Sequence, residues 1–287
     1  MKKIGITLGD QAGVGPEVVD AALKAIAIPA GVQIEILGER LRGVTLGEPT
    51  RETSRAALDA LEEGAQKLKR GEIDAIVTGP VAKEGLHELG FHFPGQTEFF
   101  ADRLECDNHA MCLTGANLTV ALVTIHVALS QVPELITQEE IVRVGMLLAA
   151  FSAQRGANPP RIAVCGLNPH AGENGAFGRE DVDLVAPAIE QLNADSKGAI
   201  FSGPHSADTV FGHAVKGDYD AVLCMYHDQG LIPLKLLDFD TGVNTTLGLP
   251  RPRTSPDHGT AFDIAGKGIA KSSSMQHAIQ LAIDLIV

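Results

Sequence analysis

The sequence predicts an α/β fold whose sheets are mostly parallel. Short apolar runs typical of buried strands alternate with amphipathic runs at helical spacing along the 287 residues. A hydrophobic content of 45% and a charged content of 21% are ordinary for a chain with a sizeable core. The length allows one large α/β domain or two modest ones around a cleft, and no Ser/Gly-rich linker marks a boundary.

Charge and aromatic content exclude two classes of partner. The formal net charge of -13 disfavours nucleic acid and anionic membranes, and the absence of Trp with only two Tyr argues against stacking platforms for bases. No apolar run is long enough to span a membrane. The four cysteines lack CxxC spacing and are predicted to be free thiols, which indicates a reducing, cytoplasmic setting.

The first βα unit shows how the elements are assigned. Residues 4–8 form an apolar strand that enters the glycine-rich turn at 9–17, and Pro16 stands where a helix would begin. The turn could face an anion or be purely structural, because GxGxxG is absent. Further strands are predicted at 32–37, 74–78, 118–125, 161–167 and 221–226. Further helices are predicted at 52–70, at 137–151 (with Thr137 as cap), at 182–192 and at 279–287.

Three histidines share one local context. His126, His170 and His227 each follow the carboxyl end of a predicted apolar strand. In a parallel sheet those ends lie along one edge, where ligands bind. Three imidazoles would leave an open position for a substrate oxygen, which is typical of a catalytic divalent metal site. A single histidine in such a place would more often be structural, but three in matching positions favour a metal.

The last third of the chain, 225–268, is predicted to form loops that build a site between short strands. It carries Lys235, Asn244 and Arg253 at intervals of nine, the best local candidates for holding a carboxylate or phosphate. Solvated loop charges are the alternative. Asp263, among glycines, would suit the ribose hydroxyls of a dinucleotide. Lys83, just past a strand end, is either a cleft residue or an ordinary surface lysine.

Seven motifs resemble those of the 4-hydroxythreonine-4-phosphate dehydrogenase family of vitamin B6 biosynthesis. They cover nearly the whole chain: GDQAGVGPE (9–17), TGPVAK (78–83), PGQTEFF (94–100), TIH (124–126), LNPHAGE (167–173), MYHDQG (225–230) and NTTLGLPRPRTSPDHGTAFDIAGKG (244–268). The stretch at 258–268 also resembles the nucleotide loop of isopropylmalate and isocitrate dehydrogenases.

The resemblance implies two α/β/α lobes around a central cleft, with an isocitrate/isopropylmalate dehydrogenase-like fold. We expect 1–120 plus 255–287 to form the first lobe, with the nucleotide loop, and 121–254 the second, with the metal histidines. The implied protein is a cytoplasmic homodimer whose site lies at the subunit interface. Its implied activity is NAD(P)- and metal-dependent oxidation of 4-phosphohydroxy-L-threonine with decarboxylation to 3-amino-2-oxopropyl phosphate.

The resemblance also assigns residues to roles. His126, His170 and His227 would hold one divalent metal, which could be zinc, cobalt, magnesium or manganese. Either Lys83 or Asp228 could relay protons. The substrate contacts would be Gln96, Thr97, Lys235, Asn244 and Arg253. The nucleotide, NAD or NADP, would be held by Asn244, Gly248, Leu249, His258, Gly259, Thr260, Asp263 and Lys267. Asp263 favours NAD, since its carboxylate would repel a 2′-phosphate.

Three departures from the family pattern keep other substrates open. Gln96 stands where family members carry histidine, and a glutamine cannot bring imidazolium charge to a phosphate. Gln11 replaces a proline, and the chain is shorter between Arg40 and Arg51. The alternatives are a sibling dehydrogenase for another hydroxy acid, such as a four-carbon sugar acid 4-phosphate or an unphosphorylated diol, and an acyl-phosphate transferase of the same broad fold.

Overall fold

The computed structural model describes all 287 residues and confirms the α/β class. Ten strands follow the chain order β1 (Lys2–Thr7), β2 (Val32–Leu37), β3 (Ala75–Thr78), β4 (Ala110–Thr114), β5 (Thr119–Leu122), β6 (Arg161–Cys165), β7 (Ile200–His205), β8 (Ala221–Cys224), β9 (Val243–Leu247) and β10 (Arg253–Pro256). The α-helices are α1 (Gly15–Ala25), α2 (Arg51–Arg70), α3 (Lys83–His87), α4 (Gln96–Arg103), α5 (Val132–Leu135), α6 (Gln138–Gln154), α7 (Ala186–Asp195), α8 (Ala207–Val215), α9 (His227–Asp238) and α10 (Ser273–Asp284).

The chain divides into two compact units. The first unit is Met1–Asp107 with Asp240–Val287, and the second unit is Asn108–Phe239. The expected lobes were 1–120 plus 255–287 and 121–254. Both expected boundaries therefore lie later in the chain than the observed ones. The difference follows from strand pairing: β4 pairs with β5 in the second unit, and β9 pairs with β10 in the first.

Five of the ten strands of the sheet lie in the first unit, in the order β2-β1-β3-β10-β9. All neighbours are parallel except β10 and β9, which are antiparallel. Its longest helix, α2, begins at a Thr50 capping box and ends at Gly71, whose φ of 73° is left-handed. The buried face of α2 packs with the aromatic side chains Phe99 and Phe100 in the core of this unit.

The second unit contains a sheet in the order β4-β5-β8-β6-β7. Strands β5, β8, β6 and β7 are parallel, and β4 joins β5 as an antiparallel hairpin. Helix α6 begins where predicted, because the Thr137 side chain accepts a hydrogen bond from the Glu140 backbone N–H. Three of the four cysteines lie buried in this unit, and all four are free thiols as predicted.

Two predicted elements differ in type from the structure, and the helix predicted at 279–287 begins earlier, as α10 (Ser273–Asp284). The loop expected after His227 is helix α9, although Gly230 and Pro233 indicate a break. Gly230 is needed for packing: a Cβ at this position would lie 2.9 Å from Cys224 Sγ. The single helix predicted at 182–192 is a π-helical turn, Asp181–Val185, followed by α7. None of the helices combines the length and hydropathy that a transmembrane segment needs.

Candidate active site

The three histidines follow three adjacent parallel strands of the second unit. Strands β5, β8 and β6 are neighbours in the sheet, so their carboxyl ends share one edge. His126 follows β5, His227 follows β8 and His170 follows β6. The structure therefore has the strand-end arrangement from which a ligand site was predicted.

His126 and His227 come close together at this edge. Their ring centres are 5.7 Å apart, and both line a cavity of about 450 Å³ with Tyr226 and Asp228. Two imidazoles on one tetrahedral metal, with metal–nitrogen bonds of about 2.1 Å, would have ring centres roughly 5 Å apart. The observed separation of 5.7 Å is close to that value. The donor set, two imidazoles beside a carboxylate, suits a divalent transition metal.

The tautomer of His227 is set by its neighbour. Nδ1 of His227 lies 2.7 Å from Oδ1 of Asp228. Because a carboxylate only accepts, Nδ1 carries the proton and Nε2 keeps its lone pair for a ligand. Asp228 is thus placed to orient the histidine, whereas the sequence suggested it as a proton relay.

His170 is not gathered with the other two. It lies in the turn Pro169–Gly175, and the centre of its ring is 6.2 Å from the centre of the Phe177 ring. No group of three or more His, Cys, Asp or Glu side chains that could hold a metal is assembled within the chain. The three-histidine cluster expected from the sequence is therefore not assembled within one copy of the chain.

Two buried polar side chains tie the strand ends together. Gln229 accepts a hydrogen bond from the Met225 N–H and donates one to the Gly166 carbonyl, both at 2.7 Å. Thr124 donates to the Met225 carbonyl at 2.8 Å. The segments that follow β5, β8 and β6 are thus linked through Met225 and Gly166. Neither side chain was predicted as a site residue, since ordinary Thr and Gln carry no positional signal without the fold.

A second group of predicted residues surrounds Arg253 in the first unit. Arg253 is 3% exposed and donates to Thr78 at 2.8 Å, to Asn244 at 3.2 Å and to Gln96 at 2.9 Å. These partners are neutral, and the Phe100 ring centre lies 6.0 Å from the guanidinium carbon. Burial lowers the pKa of Arg253 to about 10, and the Glu98 carboxylate opposes that shift. The guanidinium therefore stays charged at neutral pH.

The remaining predicted substrate residues, and the catalytic candidate Lys83, lie in different settings. Thr97 is buried on α4, with its hydroxyl 3.4 Å from that of Thr246. Lys83 is exposed at the first position of α3. Lys235 is half-buried on α9 and belongs to the second unit.

The predicted nucleotide segment packs against the first glycine-rich turn within the first unit. The Thr260 carbonyl accepts a hydrogen bond of 2.9 Å from the Val14 N–H, and a Cβ on Gly13 would lie only 2.5 Å from that carbonyl. Nδ1 of His258 lies 3.0 Å from the Gly259 carbonyl, which leaves Nε2 as an acceptor. That Nε2 atom is buried without a partner. A buried acceptor without a partner could accept a hydrogen bond from a bound ligand.

The other nucleotide candidates are accessible in the same unit. Asp263 is exposed on the short 3-10 helix Phe262–Ile264, and Lys267, Gly259 and Gly248 are also exposed. Leu249 is partly buried against the core.

The family model described as "PdxA: Pyridoxal phosphate biosynthetic protein PdxA" matches residues 13–282. The chain belongs to the PdxA family. The expected family relationship is thereby confirmed. A PdxA relative from Desulfosudis oleivorans, named 4-hydroxythreonine-4-phosphate dehydrogenase, is 43% identical over 98% of this chain and 95% of its own length. The crystal structure of an enzyme of that name from Klebsiella pneumoniae has a TM-score of 0.82 and 36% identity, with 100% of both chains covered.

More distant structures share the fold. A terephthalate 1,2-cis-dihydrodiol dehydrogenase from Burkholderia xenovorans has a TM-score of 0.70 at 25% identity, covering 99% of this chain and 98% of that one. An isocitrate dehydrogenase from Methylococcus capsulatus has a TM-score of 0.57 at 17% identity, covering 99% and 85%. The latter likeness confirms the predicted isocitrate dehydrogenase-like fold of this PdxA family member.

Proposed function

We propose that this chain is a 4-hydroxythreonine-4-phosphate dehydrogenase. It would oxidise the secondary hydroxyl of 4-phosphohydroxy-L-threonine with NAD(P) and release the neighbouring carboxylate as carbon dioxide, giving 3-amino-2-oxopropyl phosphate. The observation that carries the proposal is the family match over residues 13–282. Relatives of that name at about 40% identity, aligned over nearly the whole chain, support it.

Arg253 would bind the anionic end of the substrate. Its charge is buried among neutral partners, so a phosphate or carboxylate is the group that would neutralise it. Four of its five N–H groups already have partners, which fixes the guanidinium plane before substrate arrives. Asn244 and Thr97, in the same unit, would add neutral hydrogen bonds. Lys235 stays a predicted substrate residue of the second unit.

His126 and His227 would hold the divalent metal, with His170 as the third ligand. When bound, the metal would lower the pKa of the substrate hydroxyl and stabilise the negative charge that develops as carbon dioxide leaves. Asp228 would keep the Nε2 lone pair of His227 directed at the metal, through its 2.7 Å contact with Nδ1. Imidazole ligands favour zinc or cobalt over magnesium or manganese. Lys83, the exposed candidate on α3, would relay the proton from the hydroxyl.

The nicotinamide nucleotide would lie along 258–268 and the facing turn at Gly13. The buried Nε2 of His258 would accept a hydrogen bond from it, and the close approach of Gly13 to Thr260 would set the backbone shape. Asp263 is exposed and would accept from the ribose hydroxyls. Because its charge would repel a 2′-phosphate, NAD is the expected nucleotide.

A second copy of the chain would complete the site. Helix α9 and the residue after it expose large apolar side chains: Ile232 is 65% exposed, Leu236 83% and Phe239 71%. Such a group on one helix suits a subunit interface. A dimer through this region would also offer a source for the third imidazole, which one copy does not supply beside His126 and His227. A cytoplasmic homodimer is therefore part of the proposal.

Gln96 supports a second candidate, a dehydrogenase for another hydroxy acid. Its side-chain oxygen faces Arg253 at 2.9 Å, so it offers that guanidinium an acceptor and brings no positive charge to a phosphate. An unphosphorylated diol would need less positive charge there, whereas a four-carbon sugar acid 4-phosphate would still bring a phosphate to Arg253 and would be distinguished by the rest of its structure.

A substrate panel tests the proposal. Purified protein with NAD and a divalent metal should reduce NAD most efficiently with 4-phosphohydroxy-L-threonine, measured as kcat/KM from absorbance at 340 nm. A higher kcat/KM with a four-carbon sugar acid 4-phosphate, or with an unphosphorylated diol, would replace the proposed substrate. The absence of NAD reduction with every hydroxy acid would favour an acyl-phosphate transferase instead.

A further inference from the structure

The turn that carries His170 has an uncommon backbone. Its five central residues are left-handed, with φ of 55° at His170, 52° at Ala171, 75° at Gly172, 42° at Glu173 and 56° at Asn174. Residues with a side chain visit this region singly, because Cβ approaches the following carbonyl, and they rarely do so in a run. Local sequence preferences alone therefore do not stabilise this turn. Contacts with another part of the chain must stabilise it.

The carboxylate of Asp181 lies at the base of this turn. Asp181 is 0% exposed, and it accepts hydrogen bonds from the Leu167 N–H at 2.6 Å and the Asn168 N–H at 3.0 Å. A third comes from the Asn168 side-chain nitrogen at 3.1 Å. The two backbone donors immediately precede the turn and fix the direction in which the chain enters it.

The turn itself packs closely against the Asp181 carboxylate, as the limited space around two glycines shows. A Cβ on Gly166 would lie 2.9 Å from Asp181 Oδ1 and 2.8 Å from the Ala171 Cα. A Cβ on Gly172, inside the turn, would lie 3.1 Å from Asp181 Oδ2. The carboxylate and the left-handed residues are thus in direct contact, with no room for a larger side chain.

We propose that Asp181 is the positioning residue for the metal-binding imidazole of His170. The inference rests on the proposed function, which assigns His170 to the metal. Asp181 touches neither metal nor substrate; it holds the backbone from which His170 projects. An amide in place of the carboxylate would turn one acceptor oxygen into an N–H donor that faces a backbone N–H. The turn would then shift, and the imidazole with it.

Asp238 offers a matched control. It is 2% exposed and also accepts from two successive backbone N–H groups, Asn117 at 3.1 Å and Leu118 at 3.0 Å, and from the Asn117 side chain at 2.8 Å. It supports the hairpin between β4 and β5 and not a histidine turn. Asp238→Asn therefore introduces the same chemical conflict, and a comparable loss of stability, at a different place in the same unit.

The test is a titration of the full-length, metal-stripped protein with Co²⁺, followed by its visible absorption spectrum. Asp181→Asn should bind Co²⁺ about 10- to 100-fold more weakly than wild type, with an altered spectrum. Asp238→Asn should keep the wild-type affinity and spectrum at a similar melting temperature. Wild-type affinity and spectrum in Asp181→Asn, or equal weakening in both variants, would overturn the positioning role.

Two further variants separate this inference from the proposed function. If His170→Ala leaves Co²⁺ affinity unchanged, the metal assignment fails and the role of Asp181 fails with it. If His170→Ala weakens binding but Asp181→Asn does not, only the positioning role is overturned. Should Asp181→Asn not fold, Asn168→Ala removes one donor to the same carboxylate and should weaken Co²⁺ binding by a smaller factor. An unchanged affinity in that variant would contradict the proposal.

Discussion

The side-chain oxygen of Gln96 accepts a 2.9 Å hydrogen bond from Nη2 of Arg253, so these two residues form one recognition element. The Gln96 amide nitrogen lies 3.4 Å from the Gly79 carbonyl, which orients the amide with its oxygen toward the guanidinium. None of the hydrogen-bond partners of Arg253 is ionised, so the guanidinium does not form an ion pair with any of them.

Gln96→Glu should weaken binding of a phosphorylated substrate. The new carboxylate would pair with Arg253 and repel the phosphate, so we expect KM to rise about 10- to 100-fold, or about 1.4 to 2.8 kcal/mol. Gln96→Met, which has a similar size and no charge, should raise KM by a smaller factor. Steady-state kinetics give the KM of each variant. Equal KM values in the two variants would show that charge at position 96 does not affect substrate binding.

Arg253→Met should remove substrate recognition with only a small loss of stability. We expect kcat/KM to fall by about a thousandfold, about 4 kcal/mol of transition-state stabilisation. Without substrate, the free energy of unfolding should fall by less than about 2 kcal/mol, because removal of a buried charge offsets the hydrogen bonds that Thr78, Asn244 and Gln96 lose. Thermal and urea unfolding measure this; a loss of more than about 2 kcal/mol would indicate that Arg253 is chiefly structural.

The difference in stability between wild type and Arg253→Met should depend on pH. Burial lowers the folded-state pKa of Arg253 to about 10, below its unfolded value. From pH 6 to 9 both states hold the proton, so the stability difference between wild type and Arg253→Met should be constant. As pH rises through 10, the folded state loses its buried charge first and wild type should gain stability relative to the variant. A difference that changes already between pH 6 and 8 would contradict this account.

His227→Ala should abolish turnover while nucleotide binding survives. Loss of a metal ligand should lower kcat by about a thousandfold or more, whereas the dissociation constant for NADH, measured by fluorescence, should change less than about twofold. His213→Ala is the control, because His213 is exposed and paired with Asp218 at 2.9 Å. Normal turnover in His227→Ala would rule out the metal site at this sheet edge.

Asp263→Ser should change the preference between nucleotides. Removal of the negative charge should raise the ratio of kcat/KM for NADP to that for NAD by about tenfold or more. Asp284→Ser removes an exposed acid elsewhere in the first unit and should leave the ratio unchanged. An unchanged ratio in Asp263→Ser would remove Asp263 from the ribose site.

The fold class and the strand ends could be read from the sequence because they depend on local patterns. Apolar runs and cap residues such as Thr137 act within a few residues of themselves. Helix α9 could not be predicted from the sequence, because Gly230 and Pro233 are helix breakers by local rules. Only contacts with Cys224 and its neighbours explain why a glycine lies inside that helix.

The site could be predicted in part, where it depends on local sequence patterns. The strand-end positions of His126, His170 and His227 follow from the alternation of strands and helices, but the separate direction of His170 depends on a left-handed turn. That turn rests on Asp181, which lies beyond it in the sequence and looks like any helix-start acid. Interactions of this kind arise only when the chain has folded.

The proposed metal-dependent oxidative decarboxylation can be measured in one assay of the wild-type protein with 4-phosphohydroxy-L-threonine and NAD. We expect NADH and carbon dioxide in equal amounts, loss of both after treatment with a chelator, and recovery when zinc or cobalt is added back. NADH formation that persists in the metal-free protein, or a complete absence of NADH with metal present, would contradict it.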